Sequence, residues 1–202
     1  MKQVRVAIMA SGEGTNAEAL IRHERNTPEC PYTVVLVVTN KPDAGVVRVA
    51  DTYGIPAAIV PFAQREESVV AEELLEVFSR HDVGFVCLAG FLRKIPLTVA
   101  EVFKQKIINI HPSLLPDFGG KGMSGRHVFA AVLDSGVRET GVTIHRVSKE
   151  YDDGAVVFRE RIPVESGETI EGLEAKTRVA EHRIYPLVLA SECRRLQSEG
   201  AS

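Results

Sequence analysis

Short apolar, β-branched runs alternate with stretches of helical periodicity from residue 4 to residue 110. A run apolar on both faces fits a strand covered on both sides, and a helix between successive strands allows parallel pairing. The alternation therefore confines this half of the chain to a parallel, doubly wound α/β sheet. Strands are expected at residues 4–10, 33–39, 57–60, 83–89 and 106–110, and helices at 17–25, 43–53, 66–80 and 97–103. Asp43 is placed to cap the second helix. Val69, Val70, Leu74, Val77 and Phe78 form the apolar stripe of the third.

The pattern changes after Ser113. Residues 116–125 carry four glycines and read as a mobile loop. A helix is expected over 126–135, then a hairpin of strands 141–147 and 155–163 around the turn 149–154. A long helical stretch, 170–197, is expected to break near Pro186. No repeat, low-complexity linker or composition shift divides the chain. The expected fold is a single α/β domain over residues 1–202: a Rossmann-like, open, twisted, mostly parallel sheet with an antiparallel C-terminal part and helices on both faces.

Net charge is −3 in 202 residues, so neither a nucleic-acid nor a membrane surface is expected. Cys30, Cys87 and Cys193 are far apart and odd in number, which fits neither a disulfide framework nor a zinc site. The N-terminus lacks the apolar core of a signal peptide, and no apolar run reaches membrane length. A cytoplasmic protein without a metal is expected.

Ser11-Gly12-Glu13-Gly14-Thr15-Asn16 follows the first strand and opens the first helix. Glycines there let backbone N–H groups approach an anion at a helix N-terminus. A tight turn with no ligand would use the same residues. Thr39-Asn40 ends the second strand, where a dinucleotide site would place an acid, so a nicotinamide cofactor is disfavoured. Gly119-Gly120-Lys121-Gly122 lacks the spacing and hydroxyl of a phosphate loop.

Asn109 and His111 end the fifth strand. Side chains alternate across a strand, so these two share one face and Ile110 takes the other. Pro112 and Ser113 stop the strand and are expected to set the pair at an edge of the sheet. An amide donor beside an imidazole suits a site where negative charge develops on a carbonyl oxygen; a polar pair that merely caps a strand is the alternative. The turn Tyr151-Asp152-Asp153-Gly154 offers carboxylates, either as solvated turn formers or, if one meets His111, as a charge that lifts the imidazole pKa. His23, His81 and His127 are expected at the surface.

These segments, with Leu88-Ala89-Gly90-Phe91-Leu92-Arg93, Ile108-Asn109-Ile110-His111-Pro112-Ser113-Leu114-Leu115-Pro116 and Gly141-Val142-Thr143-Ile144-His145, occur in the order seen in the folate-dependent formyltransferases. The chain resembles that family over about residues 4–190, which implies a nucleotide- or phosphate-binding half at residues 1–105 and a catalytic and folate-binding half at 106–202. The opening loop and Glu181-His182 resemble its branch acting on glycinamide ribonucleotide. The resemblance implies formyl transfer from 10-formyltetrahydrofolate, a co-substrate, to the amine of that ribonucleotide in de novo purine biosynthesis. It implies Asn109, His111 and Asp152 as catalytic residues, with Asn109 and protonated His111 stabilising an oxyanion. Gly14, Thr15 and Asn16 match the loop that holds the substrate phosphate, and Glu181 the acid on the ribose hydroxyls. Arg65, Leu92, Arg93, Lys94, Ile95 and Asn109 match folate-contacting positions. Asp153 stands where many members have glycine, so both acids remain in view.

Other functions weigh less. A formyltetrahydrofolate hydrolase would share the three catalytic residues but usually carries an N-terminal regulatory domain. A transferase acting on initiator tRNA would need an added C-terminal domain and a basic surface. A non-catalytic nucleotide-binding module would not need all three residues. Residues 96–105 are the surface expected to meet a second copy in a homodimer.

Overall fold

The computed structural model describes residues 2–199. Its elements are β1 (Val4–Met9), α1 (Thr15–Asn26), β2 (Tyr32–Thr39), α2 (Gly45–Thr52), β3 (Ala57–Ile59), α3 (Glu67–Arg80), β4 (Phe85–Leu88), α4 (Leu97–Val102), β5 (Ile107–His111), α5 (Arg126–Asp134), β6 (Glu139–Arg146), β7 (Val156–Pro163) and α6 (Ile170–Glu199). The strands form one seven-stranded sheet in the order β3-β2-β1-β4-β5-β6-β7. Pairing is parallel from β3 to β5 and antiparallel across β5, β6 and β7. This is the expected mixed, mostly parallel sheet. The order reverses direction at β1, with β2 on one side and β4 on the other, and ligands in such sheets bind outside the carboxyl ends of the strands at that crevice.

Alternation along the strands builds a core on each face. Val6 and Ile8 pack with residues of α1, α2, α5 and α6, whereas Ala7 and Met9 pack with residues of α3 and α4. Along β5, Ile108 and Ile110 join the first core and Ile107 the second. Asn109 and His111 therefore continue the row of Ile107, and the apolar neighbours hold them in register.

Several expectations are corrected. β5 is an interior strand, so Asn109 and His111 lie at the carboxyl end of a strand in mid-sheet and not at an edge of the sheet. Asp43 does not cap α2: its N-cap is Ala44, with no side-chain hydrogen bond. Val69 is exposed, and the buried stripe of α3 is Val70, Ala71, Leu74 and Phe78, spaced so that the 3.6-residue turn keeps them on one face. α6 runs through Pro186 without a break. A proline inside a helix costs about 3 kcal/mol, and burial of Ile184, Tyr185, Val188 and Leu189 around it supplies the offset. Tyr185 reaches from α6 into the sheet, its hydroxyl 2.9 Å from the Leu88 carbonyl and 3.2 Å from that of Ile108. It ties α6 to the strand ends that carry the site.

Candidate active site

A cleft of 560 Å³ opens at the carboxyl ends of β1, β4 and β5. Thr15, Asn16, Leu92, Arg93, Lys94, Ile95, Asn109, His111, Asp152 and Glu181 all line it. Two expected residues do not. Gly14 lies behind the wall as the N-cap of α1, at φ 82°, and a Cβ there would sit 2.8 Å from the Val46 backbone. Close packing against α2 thus requires glycine at this position, whatever the loop binds. Arg65 is paired with Glu73 at 2.6 Å and donates to the Pro61 carbonyl, outside the cleft lining.

The centre of the cleft is polar and crowded. Asp152 adopts a left-handed backbone, φ 54°, a conformation costly for a non-glycine residue and concentrated at functional sites. Its Oδ2 accepts from the Gly120 amide at 2.9 Å and lies 3.6 Å from His111 Nδ1. Its Oδ1 lies 3.4 Å from His145 Nε2 and 3.5 Å from Asn109 Nδ2. Asp153 is exposed. Of the two acids, the turn therefore delivers Asp152 to the histidines. Gly154 makes that turn fit, because a Cβ there would stand 1.7 Å from the Arg146 carbonyl.

His111 is buried, and its Nε2–H donates to the Phe118 carbonyl at 2.9 Å. The segment beyond it is fixed by Thr143, whose hydroxyl donates to the Ser113 carbonyl and accepts from the Leu115 amide. Burial pulls the His111 imidazole below the usual histidine value; the Asp152 carboxylate and the Phe118 carbonyl oppose the shift without cancelling it. The expected lift of the His111 pKa is thus reversed, because desolvation outweighs one carboxylate at 3.6 Å. Asp152 moves down: burial pushes it up, but the His145 and His111 rings and the Gly120 amide together hold it below the usual carboxylate value.

His145 is the member the sequence did not single out. It is buried directly opposite Asn109 in the antiparallel β5–β6 register, with its Nε2 3.0 Å from Asn109 Nδ2. Its signals were its place at the end of a β-branched run and in the family-like segment Gly141-Val142-Thr143-Ile144-His145, and neither says which residue it would face.

At the other end of the cleft, Asn16 Nδ2 donates to Glu181 Oε2 at 2.9 Å, joining residues 165 apart in sequence. Asn16 Oδ1 is buried with no hydrogen-bond partner among the described residues. Burial raises the Glu181 carboxyl above its ordinary value. Arg178, one helical turn before it, also lines the cleft and adds a cation near the α1 N-terminus. This end combines main-chain donors, an arginine and a carboxylate, a set suited to a phosphorylated, hydroxyl-bearing ligand. Among the described residues, no group of three or more His, Cys, Asp or Glu is arranged to hold a metal, and no helix is long and apolar enough to cross a membrane.

Comparison with known proteins identifies the family. A family model described as formyl transferase matches residues 4–189. The phosphoribosylglycinamide formyltransferase of Arabidopsis thaliana, a chloroplastic protein, is 40% identical over 195 residues, 95% of this chain. The chain spans 66% of that relative's length, just under two thirds. The protein of the same name in Bacillus subtilis is 32% identical over 91% of both chains. The crystal structure of phosphoribosylglycinamide formyltransferase from Bacillus halodurans superposes with a TM-score of 0.85 at 37% identity, covering 93% of this chain and 94% of that one. With the whole sheet and every wall of the cleft inside the matched residues, the chain belongs to the formyl transferase family.

Proposed function

We propose that this chain transfers the formyl group of 10-formyltetrahydrofolate to the amine of glycinamide ribonucleotide, a step of de novo purine biosynthesis. The observation that carries the reading is a single cleft with Asn109, His111 and Asp152 at its centre and Asn16 paired to Glu181 at one end. The names of the relatives that align over nine tenths of the chain support glycinamide ribonucleotide as the acceptor of the formyl group.

The co-substrate brings an activated formyl carbon, so no covalent enzyme intermediate is needed. Thr15 and Asn16 at the start of α1, with Arg178, hold the ribonucleotide phosphate, and Glu181 accepts from its ribose hydroxyls. Leu92, Arg93, Lys94 and Ile95 line the folate side. As the amine attacks, Asn109 donates a hydrogen bond to the formyl oxygen, where negative charge develops. Asn109 has an N–H to give, since its contact with Asp152 is long at 3.5 Å. His111 starts neutral and takes up a proton released by the attacking amine, so that its positive charge arises beside the oxyanion. Asp152 stabilises that imidazolium and orders the proton's passage to the departing folate nitrogen.

Two lesser assignments go with this reading. Exposed Leu97 and Val102 on α4 give residues 96–105 an apolar surface for a homodimer. The three cysteines are free and buried, in keeping with a reducing, cytoplasmic setting.

The test is to mix the purified chain with both substrates and follow the folate absorbance change. Turnover that requires the ribonucleotide supports the proposal. Equal turnover without it would make the chain a formyl-folate hydrolase, and no turnover with bound folate would make it a binding module.

A further inference from the structure

Arg146 ends β6 with its guanidinium buried against the Glu192 carboxylate of α6, the two side chains 12% and 10% exposed. Its Nη1 donates to the Gln105 carbonyl at 2.7 Å, and Arg195 closes on the same Glu192 oxygen at 3.1 Å. A buried ion pair is weak evidence for stability, because desolvation offsets much of its attraction. The backbone of Arg146 gives the pair another use. Its carbonyl accepts from His145 Nδ1 at 2.8 Å and packs on Gly154. Its N–H donates to the Ala155 carbonyl at 2.8 Å. One residue thus borders both His145 and the turn that carries Asp152.

A carbonyl can only accept, so His145 carries a proton on Nδ1. In the neutral ring Nε2 is then an acceptor; it lies 3.0 Å from Asn109 Nδ2 and farther, at 3.4 Å, from Asp152 Oδ1. Its lone pair takes one N–H of the Asn109 amide. The other N–H is held only by the long contact to Asp152, and is left for the substrate. We propose that Arg146 and Glu192 are positioning residues for formyl transfer: they fix the Arg146 carbonyl, the carbonyl fixes the His145 tautomer, and the tautomer aims the Asn109 amide. The inference rests on the proposed function for its catalytic readout, but not for its structural one.

Ring-nitrogen NMR of the substrate-free wild-type chain at neutral pH reads the tautomer directly. Nδ1–H with an unprotonated Nε2 is expected on His145; a proton on Nε2, in the Nε2–H tautomer or in an imidazolium, would overturn the proposal. The double variant Arg146→Met/Glu192→Leu removes both charges together and leaves no lone buried ion. It is expected to lower kcat about 10-fold, the scale of outer supporting contacts, with KM for both substrates nearly unchanged and the His145 ring averaged between tautomers. Arg146→Lys keeps a cation facing Glu192 and should retain most of kcat. A double variant with wild-type kcat and an unchanged tautomer would refute the positioning role. Absence of turnover in the wild-type chain counts against the proposed function, whereas the wrong tautomer counts against this inference.

Discussion

Nδ1 of His111 lies 3.6 Å from Oδ2 of Asp152, while Nε2 on the far side of the same ring donates to the Phe118 carbonyl. Both ring nitrogens therefore face oxygens that accept, the pattern an imidazolium fills. Burial draws the ring toward its neutral form all the same. The ring is thus set between opposing demands: its two partners favour the imidazolium and burial favours the neutral form.

Removing either oxyanion partner should be costly. Asn109→Ala and His111→Ala are each expected to lower kcat about 100- to 1000-fold, the usual loss for one such donor, with smaller changes in KM. Steady-state absorbance assays give both constants. Near-normal turnover in either variant would defeat its assigned role.

The two acids of the turn should separate sharply. Asp152→Asn loses the charge that faces His111 and His145, and kcat should fall at least about 100-fold, since the imidazolium then lacks its counter-ion. Asp153 is exposed, and Asp153→Asn should stay within about 3-fold of the parent, as surface substitutions generally do. A larger defect from Asp153→Asn would reverse the assignment.

Gly154→Ala forces a Cβ to 1.7 Å from the Arg146 carbonyl. The turn must move, and Asp152 with it. A loss of about 2 kcal/mol or more is expected for a backbone clash of this kind, together with reduced kcat. Thermal unfolding and kinetics on the same preparation check both. An unchanged midpoint would show that the turn yields freely.

Acid should destabilise the fold partly through His111. An unfolded histidine titrates near about 6.5, and His111 in the folded chain titrates lower. Between those values the unfolded chain binds more protons, so stability is complete above the unfolded pKa and falls as pH drops through it. His23 and His182 are shifted the same way, by burial first. The melting midpoint should decline from about pH 7.5 to about pH 5.5, and less steeply in His111→Gln. An equal or steeper decline in that variant would contradict the direction of the shift.

Glu181 should trade stability for binding. Burial raises its pKa, so its carboxylate weighs against the folded state increasingly as pH rises above the unfolded value. Glu181→Gln should therefore melt no lower than the parent at pH near about 7.5. It should raise KM for the ribonucleotide about 10-fold or more, because hydrogen bonds to a charged group contribute about 1.5–3 kcal/mol. Unchanged KM would remove Glu181 from the substrate site.

Much of this architecture was legible in the residues. The alternation of buried runs with helical stretches determined a parallel sheet, since strands apolar on both faces need helices on both. Strand periodicity put Asn109 and His111 on one face, and motif order pointed to Asp152, Asn16 and Glu181. Local chemistry could not supply what depends on distance in space. The β5–β6 register set His145 against Asn109, and periodicity along one strand carries no information about its neighbour's offset. Packing carried α6 through Pro186 and made β5 an interior strand. Above all, burial decided the sign of the His111 shift: the sequence named the ring and its acid, but only the tertiary structure determined how much water each one kept.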